Sequence, residues 1–210
     1  MTARPWSPSA FREAARTIAA MSQRIYAMGW SPATSSNYSL RLNQQYCAIT
    51  ASGKDKSNLA ESDVMVVDLA GTAHSDGTPS AETGLHTQLY RHDPHIAAVL
   101  HTHSLASTVL TMHWPQQSEL TLRGYELLKA LQGVSSHDCQ ITLPILENNQ
   151  DIAALSTQVD ALMLAGQISH GYLIRGHGLY TWAGDMASCY RQLEALEVLL
   201  AVELERRKLG

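Results

Sequence analysis

Phe11, Ala14, Ala15, Ile18, Met21, Ile25 and Met28 recur at the three-and-four spacing of an amphipathic helix. Ser7-Pro8 precedes the stripe and Gly29 closes it, the residues that suit a helix start and a helix end. After a small, polar stretch, Tyr38, Leu40 and Leu42 alternate with polar neighbours, and with residues 46–50 across Asn43-Gln44 they predict a hairpin. Residues 64–69 read as a further strand and 82–90 as a helix. Short helices are expected over 105–112 and 125–131, and a short strand over 141–143, before Pro144. Ile152, Leu155, Val159 and Leu162 stand in helical register, with Gly166 after them. Residues 172–175 and 179–182 predict two strands around Gly176-His177-Gly178. A last helix over 184–207 has Asp185 near its start and basic residues at its end, the favourable sense for the helix dipole. Helices and strands alternate throughout, with too many hairpin-length connections for a purely parallel sheet. The pattern predicts one α/β domain over residues 1–210.

Composition narrows this picture without redirecting it. The apolar fraction of 45% and charged fraction of 16% are ordinary for a globular domain. A net charge of −4 gives no reason to expect nucleic acid or an anionic membrane as partner. No run approaches the roughly 20 apolar residues of a membrane span, and the N-terminus lacks the features of a secretory signal. Cys47, Cys139 and Cys189 are widely spaced, as expected of a reducing, cytoplasmic setting rather than a disulfide framework.

The chemistry gathers where an apolar run, with β-branched Ile96 and Val99, ends in His101-Thr102-His103-Ser104. Such a run reads as a buried strand. Alternate side chains share a face, so His101 and His103 project together and can grip one divalent cation. The spacing alone leaves open the alternative that one packs in the core and the other is solvated. A catalytic zinc site needs a third protein ligand. His74, His86, His92, His95, His113, His137 and His170 lie in loops or beside helices and have weak local context. His177 differs, because glycines on both sides let the backbone come close to a site; a plain turn histidine has the same local look.

Two carboxylates suit acid–base work. Glu82 lies at the mouth of a helix and equally fits a helix-start residue. Glu126 equally fits a solvated helix face, and Asp138 and Glu147 have less to recommend them. Ser36-Asn37 and Ser52-Gly53, with Lys54 and Lys56 nearby, offer hydroxyls, close-approach N–H groups and positive charge, the groups that hold phosphate. Two ordinary polar turns have the same composition, and neither loop matches a nucleotide P-loop.

These residues together resemble the class II aldolase/adducin family, from about Phe11 to the C-terminus. The most specific pieces are His101-Thr102-His103-Ser104 and Arg175-Gly176-His177-Gly178, with Ser52-Gly53-Lys54 in support. Leu143-Pro144-Ile145-Leu146-Glu147-Asn148 and Glu126-Leu127-Leu128-Lys129 resemble its dehydratase branch. The resemblance implies a single three-layer domain with a central, mostly antiparallel mixed sheet flanked by helices. It implies one zinc ion per subunit on His101, His103 and His177. It further implies a sugar phosphate held at Ser36, Asn37, Ser52, Gly53, Lys56 and Ser80, and a homotetramer with sites at subunit interfaces.

Aldolases of the family place a catalytic glutamate after a Ser-Ser pair; Glu82 matches it, with Ala81 replacing one serine. The family's Gly-Asn-x-Ser loop appears as Ser36-Asn37-Tyr38-Ser39. In dehydratases the acid/base role is implied for the position of Glu126, so Glu126 takes that role first and Glu82 second. The expected activity is that of a zinc-dependent hydro-lyase. The rival expectations are an aldolase or epimerase on the same scaffold, a non-catalytic adducin-like binding head, and a purely structural metal.

Overall fold

In the computed structural model, which describes residues 5–209, helix α1 (Pro8–Ala27) begins where Ser7 Oγ accepts the Ala10 N–H. The outermost ends of the expected 1–210 domain lie outside the described residues. The α1 stripe buries Ala14, Ala15, Ile18 and Ile25, and Gly29 follows in the left-handed region at φ +77°. The hairpin forms as β1 (Asn37–Arg41) and β2 (Tyr46–Thr50), and β3 (Val64–Asp68) pairs antiparallel with β2.

Next come α2 (Thr83–His92), β4 (Ala98–Thr102), α3 (Leu105–His113), β5 (Glu119–Arg123) and β6 (Gln140–Leu146). The chain closes with α4 (Ile152–Leu164), β7 (Tyr172–Ile174), β8 (Gly178–Ala183) and α5 (Met186–Leu209). The eight strands form one sheet in the order β3-β2-β1-β4-β8-β7-β6-β5, antiparallel at every pair except β6–β7.

Alternation along the strands divides the core in two. Tyr38, Leu100 and Leu179 pack with α1, α3 and α5 on one face. Val99, Tyr172, Tyr180 and Trp182 pack with α2 and α4 on the other. Each fully buried Leu, Ile or Val side chain contributes about 1.5–3 kcal/mol of apolar transfer free energy. The result is the three-layer, mostly antiparallel mixed sheet expected from the sequence.

Three local expectations need correction. Strand β5 was absent from the sequence reading, because only Leu120 and Leu122 mark it as alternating. Strand β6 runs through Pro144 instead of stopping before it. Pro144 pairs with Glu119 of edge strand β5, and the pairing passes to β7 at Ile145, a handover where a missing N–H donor is tolerated. The helix expected over 125–131 is a five-residue 3₁₀ turn, Glu126–Ala130.

Candidate metal centre

The sheet brings its chemistry to the end of β4. Register aligns Asn37 of β1, His101 of β4, Tyr180 of β8 and Tyr172 of β7 in one row across the sheet. The Tyr180 ring stacks on His101 at 4.0 Å between centroids, and Tyr172 stacks on Tyr180 at 5.0 Å. His101 is therefore clamped in a buried aromatic column. His103 lies one residue beyond β4, where its N–H donates to Trp30 O at 2.8 Å and Ser104 caps α3.

His177 arrives on the tight β7–β8 turn. A Cβ on Gly178 would stand 1.8 Å from Thr102 O, so only glycine lets this turn close onto β4. Gly176 holds φ +63°, a left-handed conformation that favours glycine.

The three imidazole Nε2 atoms converge, at 2.7 Å for His101–His103, 3.1 Å for His103–His177 and 3.3 Å for His101–His177. Around a tetrahedral zinc with Zn–N of ~2.0–2.1 Å, ligand nitrogens stand about 3.3–3.4 Å apart. His101 Nδ1–H donates to Leu179 O at 3.0 Å, and His177 Nδ1–H donates to Asn148 Oδ1 at 3.3 Å. Both bonds leave the inward Nε2 with a free lone pair, as metal ligation requires. Glu82 completes the group, with Oε1 at 2.8 Å from His177 Nε2 and Oε2 at 3.3 Å from His101 Nε2. Three convergent imidazole nitrogens beside a carboxylate fit a divalent cation in donor type; the His101–His177 spacing matches that of zinc ligands, and the other two are shorter. Among the described residues, these four make up the one such His/Cys/Asp/Glu cluster.

Electrostatics within the group follow from burial and contact. Burial pushes the Glu82 carboxyl up, while positive charge at the His101 and His177 positions, together with the Asn37 amide, draws it the other way, far below the usual carboxylate range. Burial drives His101 well below an ordinary imidazole, and burial with neighbouring His177 brings His103 down to about 4. Neutral imidazoles are the ligating form.

Two cavities meet at Glu82 and His103. One, of about 230 Å³, is lined by Ser36, Asn37, Ser52, Gly53, Lys56 and Ser80. Lys56 is 1% exposed, and its ammonium donates to Lys54 O at 2.6 Å and Thr34 O at 3.2 Å rather than to a carboxylate. Burial lowers its pKa to about 8. Ser36 holds φ +70°, in the region that favours glycine, which gives a physical reason for the glycine in the family's Gly-Asn-x-Ser pattern. The second cavity, of about 340 Å³, is lined by Leu85, Ile152, Leu155 and Ile174 with Asn148 and His177. A larger space of about 760 Å³ between α2 and α4 includes none of the four clustered residues.

Glu126 stands apart from this centre within its own chain. Its side chain is 73% exposed, it pairs with Lys129 at 2.5 Å, and it lines neither cavity beside the histidines. Tyr180, Asn148 and His86 escaped the sequence reading. Tyr180 donates its hydroxyl to Glu82 Oε2 at 2.8 Å, and His86, set aside there for its context, lies buried beneath the site. The overlooked signal was Glu82, His86 and Tyr90 at four-residue intervals, a polar stripe on a helix face that packs inward.

The model of the Class II Aldolase and Adducin N-terminal domain matches residues 16–204. A methylthioribulose-1-phosphate dehydratase of Alcanivorax borkumensis is 66% identical over 209 residues, covering 100% of this chain and 99% of that one. A protein of the same name from Stenotrophomonas maltophilia is 50% identical over 98% of this chain and 96% of its own. Among solved structures, l-fuculose-1-phosphate aldolase from Thermus thermophilus superposes with a TM-score of 0.72 at 22% identity, covering 91% of this chain and 93% of that one. The sheet order, the histidine strand and a match along nearly the whole chain agree: this chain belongs to the class II aldolase and adducin family.

Proposed function

We propose that this chain is a zinc-dependent methylthioribulose-1-phosphate dehydratase of methionine salvage, a cytoplasmic hydro-lyase. Its reaction converts 5-methylthioribulose 1-phosphate to 5-methylthio-2,3-dioxopentyl phosphate and water. The observation that carries the reading is the convergence of three Nε2 atoms with Glu82 beside a cradle built around a buried lysine. Whole-length similarity to proteins of that name supports it.

His101, His103 and His177 would hold the metal ion. Bound zinc supplies Lewis-acid polarisation of the substrate ketone and stabilises the charge that develops as the neighbouring proton leaves. The remaining work falls to the chain. Ser36, Asn37, Ser52, Gly53, Lys56 and Ser80 cradle the C1 phosphate, and Lys56 brings a charge that no carboxylate neutralises directly. Anchoring at that distance orients C3 for proton loss. The apolar side of the second cavity, Leu85 with Ile152, takes the methylthio end. The C3 proton passes to a base, the C4 hydroxyl leaves as water after protonation, and the resulting enol tautomerises to the diketone.

Glu126 is our first assignment for the proton transfers, with Glu82 second. Because Glu126 is exposed and stands outside the His101, His103 and His177 cluster of its own chain, it would act in the site of an adjacent copy of a homotetramer. The test is incubation with 5-methylthioribulose 1-phosphate, with and without a chelator. The expected result is a diketone absorbing in the near ultraviolet, lost when the metal is removed. Two carbon fragments would indicate an aldolase. Metal-free, inactive protein would indicate a binding head.

A further inference from the structure

Below Glu82, a buried hydrogen-bond chain runs along the interface between α2 and β1. Glu82, His86 and Tyr90 lie four residues apart on one face of the helix segment, and Asn37 and Ser39 lie two apart on the facing side of the strand. Asn37 Nδ2 donates to Glu82 Oε2 at 2.8 Å. His86 Nε2 bonds Asn37 Oδ1, His86 Nδ1 is 2.7 Å from Ser39 Oγ, and Ser39 Oγ is 2.7 Å from the Tyr90 hydroxyl. His86, Ser39 and Tyr90 are at most 2% exposed, so water does not substitute for these partners.

The directions of the bonds follow from the geometry. Glu82 Oε2 accepts the Tyr180 hydroxyl, and the Asn37 amide turns its NH₂ to that same oxygen and its own oxygen to His86. His86 Nε2 must then carry the proton. Burial drives this imidazole down to about 4, so the ring is neutral and has one N–H. Its Nδ1 is thereby an acceptor, Ser39 donates to it, and Tyr90 donates to Ser39. The reversed amide would put two acceptors face to face at Glu82, and two donors at His86. Such a chain is costly when half satisfied and rigid when complete.

We propose that His86 is a positioning residue for the reaction: its single N–H locks the Asn37 amide, which in turn holds the Glu82 carboxylate between His101 and His177. The inference rests on the proposed reading that His101, His103 and His177 hold a metal ion beside Glu82. It gives Asn37 a duty toward the carboxylate besides its place in the phosphate cradle.

The test uses full-length apoprotein titrated with Co²⁺, the d–d spectrum of the loaded site, zinc affinity by chelator competition, and kcat and KM on the sugar phosphate. For His86→Leu we expect zinc affinity and kcat to fall by about 10–100-fold, the cost usual for partners behind metal ligands. KM should change little, and the cobalt spectrum should shift. His86→Gln, which can present an N–H to Asn37 Oδ1, should recover most of the loss. Wild-type affinity, spectrum and kcat in His86→Leu would overturn the inference, as would equal losses in the Leu and Gln variants. If His86→Leu fails to fold, Asn37→Asp sets a second carboxyl against Glu82 at almost unchanged shape, and wild-type behaviour there overturns it. In the unmodified protein, ¹⁵N spectroscopy should find His86 as the Nε2–H tautomer; Nδ1–H refutes the chain directly. Wild-type protein that takes up no cobalt overturns the metal reading, and this inference with it. Normal uptake by wild type with an indifferent His86→Leu overturns this inference alone.

Discussion

Strand β4 separates two carboxyls, one half-buried and one fully buried, that the same backbone treats in opposite ways. On the α2 side, Glu82 faces His101 and His177, accepts from Asn37 and Tyr180, and is held far below the usual carboxylate range. On the α5 side, Glu197 accepts from Thr102, is 1% exposed, and has one carboxyl oxygen with no hydrogen-bond partner among the described residues. Burial pushes Glu197 up to about 7, against the lowering effect of Ser104 and Thr102. Burial disfavours charge in both places. What differs is the number and polarity of the groups that answer it: imidazoles, an amide and a phenol on one side, two hydroxyls on the other. Of these two carboxyls, the one that opens to the cavities is held charged, and the one packed against α5 is pushed toward its neutral form.

The strongest way to break this contrast is to remove the charge from the open face. Glu82→Gln should lower kcat by about 10²–10⁴-fold, the span of a general acid or base, and should weaken metal retention because the carboxylate sits among the ligands. Glu126→Gln should cost a similar factor in kcat while leaving metal content intact. Metal analysis beside steady-state kinetics on both variants checks the pair, and unchanged turnover in Glu126→Gln would retire that assignment.

Glu197 gives the next effect. Between about pH 4.5, the unfolded value, and about 7, the folded one, the unfolded chain has released this proton while the folded chain keeps it. Stability is full below that window, falls as pH rises through it, and changes no further above it, by about 3 kcal/mol in total. Glu197→Gln cannot lose this proton. Denaturant unfolding should show the variant gaining on the parent by that amount between pH 4.5 and 7.5; a gap independent of pH would refute the assignment. Smallest is Ser104→Ala. It deletes the N-cap of α3 and one partner of Glu197, and should lower stability by about 1 kcal/mol in thermal unfolding.

Much of the fold was legible because periodic burial writes itself into the chain. The α1 stripe, the hairpin and the strand ending in His101 stand close to where the pattern put them. Strand β5 was invisible because a short edge strand with two buried side chains carries almost no period. His86 was discounted because a histidine beside a helix has weak local context, and only its neighbours in the fold show it buried.

Sequence alone determined that His101 and His103 share a face, since alternation on a strand is a local rule, and that glycines flank His177 at a tight turn. It also carried the likeness to a family. Tertiary structure decided that His177 crosses from the β7–β8 turn to meet them, that Glu82 joins them and Glu126 does not within one chain, and that Asn37 and His86 lie behind. Several of those meetings, Asn37 with Glu82 and His86 and His177 with His101, join residues 45 to 76 positions apart. Sheet order sets such distances, and no local periodicity contains it.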